Sequence, residues 1–160
     1  MRPSARSLPP LLLVLFVALP SLSGCEMVRK KLACNWTDTI TQAEPGTPEW
    51  PVQQIIMGAM NPNEEAGWEQ YRGAMHSSEI ESRGAETMLR QLNYPKTRRL
   101  VPLYLADDTV PVFEVCYEET LADGVLNVFV KNEKSETPTP CRLKRDPKAN
   151  GAWRAYLCSL

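Results

Sequence analysis

The sequence predicts an α+β fold in which two or three N-terminal helices pack on a four-stranded antiparallel sheet. First, apolar residues recur at helical spacing between residues 47 and 92. Second, the hydrophobic period changes to two after Val110, where two pairs of strands follow each other. Third, Asp123-Gly124 separates the first pair and is a strong signal for a hairpin turn.

The first two helices are predicted from their start and stop signals. Thr47-Pro48-Glu49 offers a cap residue, a first-turn proline and an acid at the positive helix end. Asn61-Pro62-Asn63 ends this helix and caps a second one, which begins at Glu64. The predicted apolar faces are Val52, Ile55, Ile56 and Met60 in the first helix and Trp68, Tyr71 and Met75 in the second.

A third helix is predicted to open at Ser78, which has capping-box spacing to Glu81. Its apolar stripe comprises Ile80, Ala85, Met88, Leu89 and Leu92. Asn93-Tyr94-Pro95 is expected to end the helix, because proline disfavours a helical residue before it. Residues 96–106 fit either a short helix or an edge strand, and Pro102 excludes a central strand.

The first predicted hairpin joins residues 111–120 to residues 125–130. A two-residue Asp123-Gly124 turn would pair Ala122 with Val125. One face then collects Phe113, Val115, Tyr117, Leu121, Leu126, Val128 and Val130, with Glu119 as its single charged member. The opposite face is polar and is expected to be wet or lightly covered.

The closing hairpin is predicted to follow a long polar connection over residues 131–140. Its strands are Cys141–Arg145 and Trp153–Cys158. The hairpin is basic through Arg142, Lys144, Arg145, Lys148 and Arg154. These cations form either a solvated face or a docking surface for an acidic partner or an anionic envelope polymer.

The N-terminus has the layout of a secretory signal, with Arg2 and Arg6 before a short apolar run over residues 11–19. A membrane-spanning helix needs about 20 apolar residues, so this run is an export address and not an anchor. Leu22-Ser23-Gly24-Cys25 follows it and resembles the lipobox of bacterial lipoproteins. The alternative is an ordinary signal peptide followed by an unrelated cysteine.

The resemblance implies that the Cys25 thiol carries a diacylglyceryl group and that cleavage before Cys25 exposes an amine for acylation. Residues 1–24 are then a signal peptide, 25–46 a lipidated tether and 47–160 one domain. Glu26, where an Asp would favour inner-membrane retention, implies an outer-membrane location facing the periplasm. The basic cluster Arg29-Lys30-Lys31 either meets anionic headgroups or is merely solvated.

Composition argues against several classes of function. Residues 25–160 contain 16 basic and 19 acidic side chains, a net charge of −3. This balance lacks the basic field of a nucleic-acid-binding protein. One histidine in the whole chain and no closely spaced cysteine pair argue against a metal centre, and no cofactor motif is present.

Four cysteines remain once Cys25 is assigned to lipid, and an even number in an exported chain predicts two disulfides. Four cysteines allow three connectivities. Antiparallel pairing of the closing hairpin places Cys141 nearly opposite Cys158, and a bridge there stabilises by about 3 kcal/mol. Cys34 and Cys116 are left to staple the N-terminal arm across the wetter sheet face.

Gly151-Ala152-Trp153-Arg154 and the order of elements resemble nuclear transport factor 2-like, or cystatin-like, domains. In those domains a curved sheet wraps a long helix and leaves a cone-shaped pocket. The family includes enzymes such as ketosteroid isomerase as well as non-catalytic binding modules, so fold does not choose a function.

His76 and Glu119 are the candidate catalytic residues. Glu119 lies on the predicted apolar face, where a buried carboxyl would be a general base; its alternative is a position at the sheet rim. His76 lies at a predicted helix end, where a cation simply complements the dipole.

We therefore expect a lipid-anchored, non-enzymatic envelope protein that binds a partner or a small apolar ligand. The alternatives are a small pocket enzyme of the isomerase or hydrolase type and a purely structural envelope component with a filled interior.

Overall fold

The computed structural model describes residues 34–35 and 37–160. The strands are β1 (Asp38–Ile40), β2 (Phe113–Thr120), β3 (Leu126–Asn132), β4 (Ser135–Asp146) and β5 (Ala152–Cys158). The helices are α1 (Glu49–Met60), α2 (Glu64–Ala74), α3 (Ser77–Ile80), α4 (Arg83–Met88) and α5 (Tyr94–Leu100). The α+β class is confirmed, and the antiparallel sheet has five strands in sequential order, one more than predicted.

Helices α1 and α2 form where the sequence predicts them. The Asn63 side chain caps α2 by accepting a hydrogen bond from the Ala66 N–H at 3.0 Å. Val52, Ile55 and Ile56 are buried on the inner face of α1. The predicted cap of α1 is wrong, because the Thr47 hydroxyl donates to Glu44 O and no side chain caps this helix. Apolar spacing was sufficient because both helices place a continuous apolar stripe against the rest of the domain.

The prediction of one third helix ending at Pro95 is wrong. The segment is divided into α3, α4 and α5, and a π-helical turn over Leu89–Asn93 joins the last two. In this wide turn Tyr94 N–H donates to Leu89 O, five residues back. Because Pro95 follows a widened turn at the start of α5, the chain continues as a helix to Leu100.

The predicted apolar stripe of the third helix is only partly correct. Leu89 is buried, but Met88 and Leu92 are 56% and 55% exposed. The π-helical turn changes the angular position of successive residues, so a stripe drawn at constant spacing loses its register. Residues 96–106 take the helical alternative, because α5 is followed by a single 3₁₀ turn over Val101–Leu103.

The segment predicted as a tether contributes a strand to the sheet. Strand β1 pairs antiparallel with the start of β2, and Thr39 lies opposite Glu114. Beyond β1, the buried Gln53 side chain donates to Thr41 O at 3.0 Å and accepts from Ala43 N–H at 2.8 Å. The arm is therefore fixed to both the sheet and α1 from Asp38 onward.

The β2–β3 hairpin forms, but its register differs by one residue from the prediction. Thr120 pairs with Leu126, so Ala122–Gly124 is a three-residue loop in place of the expected two-residue turn. Asp123 and Gly124 adopt left-handed backbone conformations, with φ of 63° and 70°. Both residue types tolerate these angles, which explains why the turn signal was correct although its length was not.

A β-bulge in β2 changes which side chains face the helices. Val115 pairs with Val130, whereas Tyr117 pairs with Phe129, so Cys116 is the extra residue. Residues before and after a bulge no longer alternate in phase. Tyr117 consequently lies on the opposite face from Val115, contrary to the prediction that both belong to one apolar face.

The predicted long connection over residues 131–140 is also wrong, because β4 begins at Ser135 directly after a tight turn. The sequence obscures this strand because it contains Pro138 and Pro140. Strand β5 pairs only with the part of β4 from Cys141 onward, so both prolines lie where β4 has a single neighbouring strand. A proline is tolerated at such an edge because no ladder hydrogen bond is lost.

Both predicted disulfides form. Cys141 and Cys158 are direct cross-strand partners with Cα atoms 4.1 Å apart. Cys34 and Cys116 have Cα atoms 5.1 Å apart, and the bond joins the arm to the bulge in β2.

The helices pack on one face of the sheet, and side chains fill the space between them. Fully buried residues of this core include Ile55, Ile56, Trp68, Tyr71, Tyr94, Phe113, Val128, Val130 and Leu143. The three aromatic rings of Trp68, Tyr71 and Tyr94 contact one another, with centroids 5.2–6.0 Å apart. The interior is thus occupied by the chain itself.

Helices α1 and α2 approach most closely at two glycines. A Cβ atom added at Gly58 would lie 2.7 Å from Gly67 O and 2.8 Å from Tyr71 N. Both neighbouring atoms belong to the backbone, so neither can rotate away. Gly67, which weakens the helix prediction for α2 on propensity alone, is required by this close packing.

We predict that Gly67→Ala destabilises the protein by about 2–3 kcal/mol, because the added methyl group forces the two helices apart. Gly73→Ala in the same helix is the matched control, since nothing lies within 4 Å of a Cβ at that position. The control should stabilise by up to about 1 kcal/mol through helix propensity. Urea unfolding followed by circular dichroism measures both, and equal effects would contradict the close-packing argument.

Candidate functional site

The closing hairpin is positioned by β4, β5 and the turn between them. Asn150 and Gly151 adopt left-handed conformations with φ of 54° and 74°, and Gly151 N–H donates to Asp146 O at 2.8 Å. The resulting register places Lys144 opposite Arg154 and Arg145 opposite Trp153. Cations from both strands are therefore concentrated at one end of the hairpin.

Three of these cations lie over aromatic rings. Lys144 Nζ is 3.9 Å from the ring centroid of Tyr156, and Arg145 Cζ is 4.1 Å from that of Trp153. Arg154 Cζ is 4.9 Å from the ring centroid of Trp50 on α1. Such contacts are worth about 0.5–1 kcal/mol at exposed sites, and they fix the charge without neutralising it. Lys144 and Arg145 are adjacent in β4 and point to opposite sides of the sheet, so the three contacts surround the turn end of the hairpin. We call these three cations and their rings the cation–aromatic cluster.

The other two cations of the predicted docking surface differ from each other. Lys148 forms an ion pair with Glu81, so its charge is compensated. Arg142 is exposed on β4 between Asn127 of β3 and Leu157 of β5. Within the described part of the chain, Arg142 and the cluster cations have no carboxylate oxygen within 4.0 Å.

The arrangement suits the recognition of anions. Fixed guanidinium and ammonium groups attract carboxylates or phosphates, and Arg presents several donors in one plane. The exposed edges of Tyr156 and Leu157, 36% and 44% accessible, add apolar contact area beside the charges. Sequence reasoning identified the cations but missed the rings, because these contacts depend on the register of β4 and β5 and on the packing of α1 beside β5.

His76 has a structural role. Its side chain caps α3, with Nδ1 accepting from the Ser78 N–H at 3.1 Å. Its backbone N–H donates to Ala155 O at 2.8 Å, which fixes this segment to the edge of β5 that does not pair with β4. The imidazole thus caps the start of a helix. The prediction that it complements the dipole at a helix end is wrong.

Glu119 does not lie on the apolar face, and that prediction is wrong. It pairs with Asn127, whose neighbour Val128 is fully buried on the helix side, so Glu119 faces away from the helices. The bulge places Glu118 beside Val128 instead. Burial, and secondarily the nearby Glu49 carboxylate, raise the pKa of Glu118 above its usual range.

The structure does not bring His76 and Glu119 together. His76 lies beside β5, and Glu119 belongs to β2, with β3 and β4 between them. Four strand spacings correspond to about 19 Å along the sheet. One substrate cannot contact both groups, so the pair does not constitute an active site.

Cys25, the predicted lipidation site, lies outside the described residues. Among residues 34–35 and 37–160, none of the helices combines the length and the apolar character needed to cross a bilayer. The same residues contain no group of three or more His, Cys, Asp or Glu side chains arranged to hold a metal ion.

Comparisons of the chain with protein-family models, with curated proteins and with solved structures find no match.

The base of the closing hairpin is held by the buried carboxyl group of Asp146. Its oxygens accept from the Ser77 N–H at 2.8 Å, the Ser77 hydroxyl at 3.0 Å and the Lys148 N–H at 2.9 Å. Burial opposes ionisation, but these hydrogen bonds and the nearby His76 outweigh it and lower the pKa of Asp146. The carboxylate form therefore links the hairpin to α3.

We predict that Asp146→Asn destabilises the protein by about 2 kcal/mol at neutral pH, because charge-assisted hydrogen bonds are lost. A lowered folded-state pKa contributes stability above the unfolded value of about 3.9 and loses it as the pH falls through the folded value. The difference between wild type and variant should therefore shrink below about pH 4. Denaturant unfolding across pH measures it.

The matched control for this prediction is Asp108→Asn at an exposed position, which should change stability by less than about 0.5 kcal/mol. A difference between wild type and Asp146→Asn that stays constant down to pH 3 would show that the charge of Asp146 is not what holds the hairpin.

Proposed function

We propose that this chain is a lipid-anchored, non-enzymatic protein of the bacterial cell envelope that docks an anionic partner through its closing hairpin. The observation that carries the proposal is the cation–aromatic cluster. Its three cations are held over rings of Trp50, Trp153 and Tyr156 and have no carboxylate beside them in the described residues. An anionic partner would supply the missing counter-charge.

The location is proposed from the lipobox-like Leu22-Ser23-Gly24-Cys25 and from Glu26, which favour an acylated Cys25 in the outer membrane facing the periplasm. The four cysteines of the described chain support export, since all of them form disulfides. Disulfides persist in oxidising compartments such as the periplasm.

Partner docking is favoured over the binding of a small apolar ligand. The likeness to cystatin-like domains is retained as a proposal about architecture, supported by N-terminal helices followed by strands in sequential order. Where those domains have a cone-shaped pocket, this chain packs buried side chains such as Ile55, Phe113 and Leu143. A surface site is therefore the better candidate, and the separation of His76 from Glu119 supports a non-enzymatic role.

The anchor is tested by mass spectrometry of protein purified from membranes of the native organism. We expect an N-terminal residue at Cys25 carrying three acyl chains, and Cys25→Ser should abolish both the acyl mass and the cleavage before this position. Ser23→Thr, two residues before the cleavage site, is the control and should leave the acylated N-terminus at Cys25. An unmodified thiol at Cys25 would overturn the proposed anchoring.

Anion docking is tested with the purified mature chain, residues 25–160 with Cys25→Ser, and an acidic peptide of consecutive glutamates. Tryptophan fluorescence reports binding through Trp50 and Trp153 within the cluster. Lys144→Gln combined with Arg154→Gln should weaken the peptide complex about tenfold, since each exposed pair contributes up to about 1 kcal/mol.

Lys96→Gln combined with Arg99→Gln is the matched control for peptide binding, because both residues are exposed on α5 and lose the same charge. The control should bind like the parent chain. Equal weakening in both double variants would show that net charge, and not the cluster, attracts the peptide.

A further inference from the structure

One face of the sheet carries none of the helices formed by residues 37–160. On β3 and β4, the residues that alternate with the buried Val128, Val130 and Leu143 point away from the helices. We call this surface the outer face. The residues of the outer face used below are Glu114, Tyr117, Phe129, Lys131, Arg142, Lys144, Tyr156 and Leu157.

The outer face combines aromatic and apolar groups with cations. Tyr117 and Phe129 are cross-strand partners whose rings stack with centroids 4.3 Å apart. Tyr156 and Leu157 are exposed apolar residues of β5, which is separated from this stack by β4. Isolated exposed apolar residues are ordinary, but a strip of them beside cations marks an interaction surface.

The charges on the outer face are unevenly compensated. Glu114 is paired with Lys131 at 2.5 Å, and the hydrogen bond holds the pKa of Glu114 below its usual range. Arg142 and Lys144 have no such partner in the described residues. Glu119 also faces this side, but it lies two strands away from Arg142, with Asn127 between them. The uncompensated charge along β4 is therefore positive.

The N-terminal arm leaves the domain on this face. Thr37 Oγ1 donates to Glu114 Oε1 at 2.9 Å, on the side of β2 opposite the buried Phe113 and Val115. The arm then reaches the Cys34–Cys116 disulfide. Nine chain steps separate Cys25 from Cys34, which limits the distance between them to about 30 Å.

We propose that the outer face lies against the membrane surface and that Arg142 and Lys144 bind anionic phospholipid headgroups there. The proposal rests on the proposed function, because a lipid on Cys25 is what brings this face to the bilayer. Tyr156 and Leu157 extend into the interfacial region, where a tyrosine buries its ring and keeps its hydroxyl in water.

A membrane is favoured over an acidic protein as the anionic partner for two reasons. The short link from Cys25 attaches to the same face that carries the cations, so docking costs little additional ordering. The mixture of cations with exposed aromatic and aliphatic groups also matches a membrane surface, where anionic headgroups cover an apolar hydrocarbon layer.

The test uses the mature chain, residues 25–160 with Cys25→Ser, which lacks both the acyl anchor and the apolar signal segment, in flotation with phospholipid vesicles. We expect binding to vesicles that contain phosphatidylglycerol and little binding to pure phosphatidylcholine. Arg142→Gln combined with Lys144→Gln should reduce the partition coefficient about 30-fold, or roughly fivefold for each cation. Lys96→Gln with Arg99→Gln is the control and should bind like the parent chain. Near-ultraviolet circular dichroism verifies that every variant is folded.

Each other outcome overturns the membrane assignment in an identifiable way. Equal loss in the control pair would mean that overall charge drives binding, and equal binding to both vesicle types would remove the role of the cations. Failure to bind phosphatidylglycerol while the glutamate peptide still binds would identify an acidic protein as the partner. Failure of the proposed function itself would appear separately, as a free thiol at Cys25.

Discussion

The bulge at Cys116 is the constraint on which the arrangement of the two sheet faces depends. It places Phe113 and Val115 toward the helices but turns Tyr117 to the outer face, where Tyr117 stacks on Phe129. The same residue holds the arm through its disulfide to Cys34. One irregular position therefore decides which side chains fill the core, which remain available to a partner, and where the N-terminal segment joins the domain.

Features governed by neighbouring residues could be predicted from the sequence, whereas those governed by tertiary fit could not. Asn63 indicates the start of α2 in the sequence, because a capping side chain acts within one helical turn. The disulfide connectivity followed from strand pairing and elimination. Pro95 was misjudged because the π-helical turn before it removes the usual conflict, and the β2–β3 register was missed because period-two alternation cannot reveal a bulge.

The candidate site shows the same division. The cations of β4 and β5 are visible in the sequence, and the hairpin that concentrates them follows from its turn. The contact between Trp50 and Arg154 could not be predicted. The two residues are more than a hundred positions apart and meet only because α1 packs beside β5. His76 and Glu119 were candidate catalytic residues because both side chains are titratable, but the sheet separates them. Residue type alone therefore did not identify an active site.

The distribution of charge over the described residues is as informative as any single contact. Two cations on the helical side are compensated, because Arg72 pairs with Glu86 and Arg90 with Glu65, and α2 to α4 carry further glutamates. On the outer face, by contrast, Arg142 and Lys144 have no such partners. A chain with a negative net charge thus presents a locally positive face, which gives it a preferred orientation in the field of an anionic surface. Because the arm leaves from that same face, electrostatic orientation and covalent attachment would act in the same direction.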